Sequence, residues 1–163
     1  MDLNQDLNKA PAINETNNID GSEVISLDIK VPGDYKFTIE ILKTTPLNLF
    51  HEIIQNHVNF DNDHLYQFFI AKNAFNQRDI IGHVNSYEPD KYIKSISKIK
   101  LGSLFPLLKG FKLYYLFDFG DSWYFEIKQT RATIKDFYER KYYPRITKSS
   151  GKIPEQYQDE YEN

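Results

Sequence analysis

Residues Leu113–Ile127 read LYYLFDFGDSWYFEI, and this stretch decides the fold. Seven of its fifteen residues are Tyr, Phe or Trp. Aromatic side chains favour pleated, half-buried surfaces, so the stretch predicts two strands, over 111–117 and 122–130. Between them Asp118-Phe119-Gly120-Asp121-Ser122 is a turn cluster. The expected geometry is a tight bend in which Asp118 and Asp121 accept from main-chain amides and Gly120 takes a positive φ. Strand alternation puts Trp123, Phe125 and Ile127 on one face and Tyr124, Glu126 and Lys128 on the other. Tyr114, Leu116 and Tyr124 are expected to face away from Trp123, covered by a helix over 46–58.

Outward from the hairpin the same periodicities continue. Ile25, Leu27, Ile29 and Val31 alternate with polar residues, and Phe37, Ile39 and Ile41 alternate after Pro32-Gly33-Asp34. These read as a second hairpin, half buried. Leu47, Phe50, Ile53, Ile54 and Val58 form a helical stripe. Thr45 is the expected N-cap and Pro46 the first helical residue. Residues 64–71 carry apolar groups on both sides, which predicts a central strand. Residues 73–97 read as a long loop with local structure. A short helix is expected over 103–109, opened by Ser103 and ended by Gly110, and another near 133–140. The tail from Tyr142 reads as loop. Residues 1–22 are polar and unpatterned and are expected to form a disordered arm. Residues 158–163 form an acidic polar tail, and 23–157 a single domain. The fold class is α+β: an antiparallel sheet of hairpins packed against a few helices.

Composition narrows the function. The chain has 163 residues, enough for one domain with a sizeable core. A net charge of -3 argues against a dedicated nucleic-acid coat. Only Arg78, Arg131, Arg140 and Arg145 offer a guanidinium fork for phosphate. With no cysteine, disulfides, thiolate metal sites and Cys catalysis are excluded. The sequence shows neither a signal-peptide pattern nor an apolar run that spans a bilayer, so a cytoplasmic protein without a membrane partner is expected.

Two further blocks join the hairpin. One is Phe50-His51-Glu52-Ile53-Ile54-Gln55, followed by Asp63-His64-Leu65-Tyr66-Gln67-Phe68. The other runs from Tyr115 to Trp123, and Tyr143-Pro144-Arg145 and Gly151-Lys152-Ile153-Pro154-Glu155 come later. In this order they resemble the plasmid ORF-three-like family named after the agrobacterial Ri plasmid pRiA, some of whose members are labelled insertion-element passengers of a TnpR kind. The resemblance spans residues 23–157 and implies an α+β fold, with no established reaction. Phe125, Ile146 and Gln156 stand where members often have His, Cys and Asp. These departures weaken any metal site the family would build there.

The candidate site residues are Asp118, Asp121, Trp123, His64, His51, Tyr143 and Arg145. His51 and His64 lie in the family blocks and are better candidates than His57 or His83. One reading is a non-catalytic binding or interaction module associated with mobile elements, with these residues as its surface. A second is a metal-dependent hydrolase or nuclease, in which Asp118, Asp121 and His64 hold a divalent ion. A third is a nucleic-acid-binding accessory protein that uses Lys141, Arg145, Lys148 and Lys152 among tyrosines. No cofactor is predicted beyond that divalent metal, and a protein or nucleic acid is the expected partner. Strand cleavage of the resolvase or recombinase kind is not expected, because the chain lacks the arginine clamp that phosphoryl transfer needs.

Overall fold

A computed structural model of the chain describes residues 23–75, 78–82, 88–130, 139 and 142–157. Its strands are β1 (Val24–Lys30), β2 (Lys36–Leu42), β3 (Tyr66–Ala71), β4 (Asp79–Ile80), β5 (Lys112–Phe117), β6 (Trp123–Gln129) and β7 (Arg145–Ser150). They form one sheet in the order β4-β3-β5-β6-β1-β2-β7. Every pairing is antiparallel. Two helices, α1 (Leu47–Val58) and α2 (Pro89–Ile96), accompany it, giving the expected α+β class.

The aromatic hairpin lies near the middle of the sheet. Phe117 pairs with Trp123, Tyr115 with Phe125 and Leu113 with Ile127. These six face the same side as Ile25, Leu27 and Ile29 of β1 and Phe68 and Ile70 of β3. On that side Leu47, Phe50, Ile54 and Val58 of α1, with Tyr92 and Ile96 of α2, complete one apolar core. The period-two pattern of the strands and the 3.6-residue stripe of α1 therefore meet at a single interface.

The opposite face behaves differently from expectation. Phe69, Ala71, Tyr114 and Leu116 form a second buried cluster there, joined by Tyr124. The helix over 47–58 covers the Trp123 face instead. Over the second cluster Arg78 lies 4.2 Å above the Phe69 ring and 5.9 Å from that of Tyr124. A guanidinium on aromatic faces shields apolar surface while staying hydrated at its edge.

Four element boundaries also differ. Pro46, not Thr45, occupies the N-cap of α1, and no side chain caps it. The reason is a competing main-chain partner: Leu47 N donates to Ile99 O, and Leu101 N donates to Thr45 O. The same pairing draws residues 101–104 into a single 3-10 turn, in place of the helix expected over 103–109. Within 73–97 the structure has β4 and α2. Helix α2 shows only two buried residues, Tyr92 and Ile96, four apart, too short a stripe to stand out in a polar stretch. The tail from Tyr142 is not all loop: β7 pairs along β2 with a bulge at Thr38/Ile39. As an edge strand it buries almost nothing, so its sequence RITKSS carries no apolar alternation. The helix expected near 133–140 lies outside the described residues, apart from Glu139.

Candidate functional site

The bend between β5 and β6 is built on Asp118. Its buried carboxylate oxygen Oδ1 accepts from the amides of Gly120 at 3.0 Å and Asp121 at 3.2 Å. Its own amide donates to Leu65 O at 2.9 Å, which fastens the bend to the start of β3. The left-handed positions are Asp118 at φ 59° and Ser122 at φ 56°, rather than Gly120. Asp tolerates this region because its side chain bonds locally, as it does here. Of the two carboxylates, Asp118 thus holds the turn, while Asp121 supplies an amide.

His64 stands over this bend. Its Nε2 is 3.3 Å from Asp118 Oδ2 and 3.6 Å from Asp63 Oδ1. Tyr157 donates its hydroxyl to Asp63 Oδ2 at 2.5 Å and accepts from His64 Nε2 at 3.0 Å. That bond raises the Tyr157 hydroxyl to about 12 and lowers Asp63. Gln156 reinforces the junction, accepting from Asp61 N at 2.6 Å and donating to Asp63 Oδ1 at 2.9 Å. The segment after β7 is thereby tied to the loop before β3.

His51 is buried on α1 and closes a hydrogen-bonded ring. Asn62 Oδ1 can only accept, so His51 Nε2 carries the proton and donates to it at 2.7 Å. His51 Nδ1 then accepts from the Tyr115 hydroxyl at 2.6 Å, and Gln55 Nε2 donates to the same hydroxyl at 2.9 Å. Gln55 Oε1 accepts from Asn62 N at 3.1 Å, completing the circuit. Burial pushes the His51 pKa down, which matches a neutral ring; the Asn62 bond and Glu52 oppose that shift. The ring also stacks on Tyr66, with centroids 3.5 Å apart and planes 3° apart. Gln55 closes the Phe50–Gln55 block but is not among the candidate site residues read from the sequence. The signal was its place four residues after His51, on the same helical face.

Two cavities flank the bend. The smaller, about 340 Å³, lies between α1, α2 and the turn. His51, Tyr66 and Tyr92 line its inner part, and Leu65, Ile93 and Phe119 its apolar edge. Asn48, Glu52 and His64 supply polar groups. The larger, about 950 Å³, lies between the β1–β2 turn and residues 152–157, with Asp121 and Trp123 on its wall. Trp123 packs edge-on against Phe60 at 4.9 Å, and its buried indole N–H has no partner among the described residues.

The candidate residues therefore divide. The structure brings Asp118, Asp121, Trp123, His64 and His51 to one end of the sheet, around two concavities. Tyr143 and Arg145 lie elsewhere. Arg145 pairs with Glu40 at 3.0 Å, near the opposite end of β2 from Lys36 and Ser150, and on the face away from the helices. Lys148 is on that same face, opposite Thr38, whereas Lys152 lines the larger cavity. Lys141 and His83 lie outside the described residues. His57 is half-buried against Phe37 and Tyr35 and bonds the Tyr35 hydroxyl at 2.7 Å, a packing role. Among the described residues no three His, Asp or Glu side chains are grouped to hold a metal ion. No helix among them is long and apolar enough to cross a membrane.

An antiparallel sheet with, among the described residues, two helices on one face, and a turn-centred site at one end, defines the class. The sequence profile of the Plasmid pRiA4b ORF-3-like protein family matches residues 29–160, and the chain belongs to that family. No curated protein matches it. Among solved structures, the crystal structure of a protein of unknown function, MM3350, from Methanosarcina mazei Go1 is similar, with a TM-score of 0.57 and 23% identity. The match covers 77% of this chain and 68% of that one, a likeness of fold.

Proposed function

We propose that the protein is a non-catalytic binding module whose ligand site is the smaller cavity. One observation carries this reading. Leu65, Ile93 and Phe119 are exposed large apolar side chains from three separate segments, and all three line that cavity. Single exposed apolar residues are ordinary, but their convergence on a concave site with a few polar groups is the pattern of ligand pockets. The rigid His51 ring gives the cavity a preorganised floor. The plasmid origin in the family's name supports an association with mobile elements. The test is a fragment screen by saturation-transfer NMR on the wild type and Ile93→Arg. Fragments that bind the wild type and are lost in the variant support the reading. A fragment set that never distinguishes the two removes it.

A second reading, a nucleic-acid accessory role, is favoured by a different surface. Lys30, Lys36, Lys128 and Lys148 lie exposed across four neighbouring strands, around a hollow of about 520 Å³. Glu126 and Asp28 interrupt them, and Glu126 is already engaged by Lys112 at 3.1 Å and Lys128 at 3.4 Å. A cationic sheet face on an acidic chain suits a polyanion. It predicts oligonucleotide binding that weakens steeply with salt and falls in a Lys36→Ala/Lys148→Ala chain. Absence of any binding at low salt excludes it.

A further inference from the structure

We infer that the smaller cavity takes an organic cation, a primary or methylated ammonium carried on an apolar or aromatic body. This rests on the binding reading above and names the ligand class of the same site. The charge around the cavity is one-sided. Among the described residues neither Lys nor Arg lines it, while Glu52 does, with its side chain about half exposed. The Glu52 oxygens accept from Asn62 Nδ2 at 3.2 and 3.1 Å, and each keeps room for a second donor. Asn48, one helical turn before Glu52, lines the same cavity, and its Oδ1 is buried with no partner among the described residues. A buried acceptor left unpaired is costly, and a ligand N–H satisfies it.

The walls fit the rest of such a ligand. Tyr66, Tyr92 and Phe119 contribute aromatic rings, whose negative faces attract cations. Tyr66 and Tyr92 meet edge to face at 6.0 Å. Burial raises both hydroxyls, Tyr92 to about 12, so both rings remain uncharged. Leu65 and Ile93 supply the apolar edge for the body of the ligand. An anion finds little here. His51 is held neutral by burial and its ring nitrogens are both engaged. His64 already faces Asp118 and Asp63.

The experiment titrates the isotope-labelled full chain with phenethylamine, phenethyl alcohol and phenylpropionate, following amide shifts around the cavity. Phenethylamine is expected to bind about tenfold tighter than the alcohol, and phenylpropionate to leave the shifts unmoved. Glu52→Gln keeps an acceptor for Asn62 and is expected to erase the amine's advantage over the alcohol. Phe119→Leu, at an exposed turn position, is expected to weaken the amine severalfold. The cation assignment is overturned if the alcohol or phenylpropionate binds as well as the amine, or if both variants bind the amine like the wild type. If none of the three moves the cavity amides, the binding reading falls and takes this inference with it.

Discussion

Asp118 shows how one side chain can settle a bend. It is buried, left-handed, and the acceptor for two amides. Asp118→Ala orphans those amides and puts Ala in a region it dislikes, so a loss of about 2–3 kcal/mol is expected in urea unfolding. Asp118→Asn keeps Oδ1 and the local preference, and is expected to stay within about 1 kcal/mol of wild type. Equal losses in the two variants would mean that charge, not amide bonding, holds the turn. Tyr115 is the matching test inside the core. Tyr115→Phe leaves His51 Nδ1 and Gln55 Nε2 buried without partners, an expected cost of about 1–3 kcal/mol. An unchanged unfolding midpoint would show that the ring of hydrogen bonds contributes nothing to stability.

At the level of elements, the strands that bury apolar side chains were legible and the exposed one was not. Burial of one face wrote a period of two into β1, β2 and β6, while β3 and β5, buried on both faces, read as near-continuous apolar runs. β7 pairs along β2 through main-chain bonds, with Arg145–Glu40 as a side-chain tie, and exposes its other side chains, which leaves no pattern to read. α2 is anchored by Tyr92, whose hydroxyl accepts from Phe68 N at 2.9 Å, a tertiary bond that no local signal announces. The site followed the same division. The bend and both histidines were visible as motifs, whereas Asn48, Glu52, Ile93 and Tyr92 become neighbours only when α1 and α2 are set side by side. Gly151 makes the β7 connection testable. Its φ is +84°, and a Cβ there would lie 2.2 Å from Asp34 O. Gly151→Ala is expected to loosen residues 145–157, seen as faster amide exchange in β7 with β5 and β6 still protected. Unaltered exchange in β7 would contradict that.

For the molecule as a whole, acid is the informative stress. Burial lowers the pKa of both His51 and His57 below the ordinary 6.5. The unfolded chain therefore takes up these protons first as pH falls. Their contribution is full above about pH 6.5 and is lost as pH drops from there through the lowered folded values. Thermal stability is expected to decline between about pH 7 and 5, with a shallower decline in His51→Gln. A melting temperature that does not move over that range would refute the assignment. Asp63, held low by Tyr157, titrates further down and does not enter this window. The sheet order has a consequence for biosynthesis. β1 sits between β2 and β6, and Leu27 meets Gln129 about a hundred residues later. As the nascent chain leaves the ribosome, the β1–β2 hairpin waits with both flanks open until β6 and then β7 have emerged. During that wait both flanks present unpaired main-chain groups, a template on which a stray strand can pair.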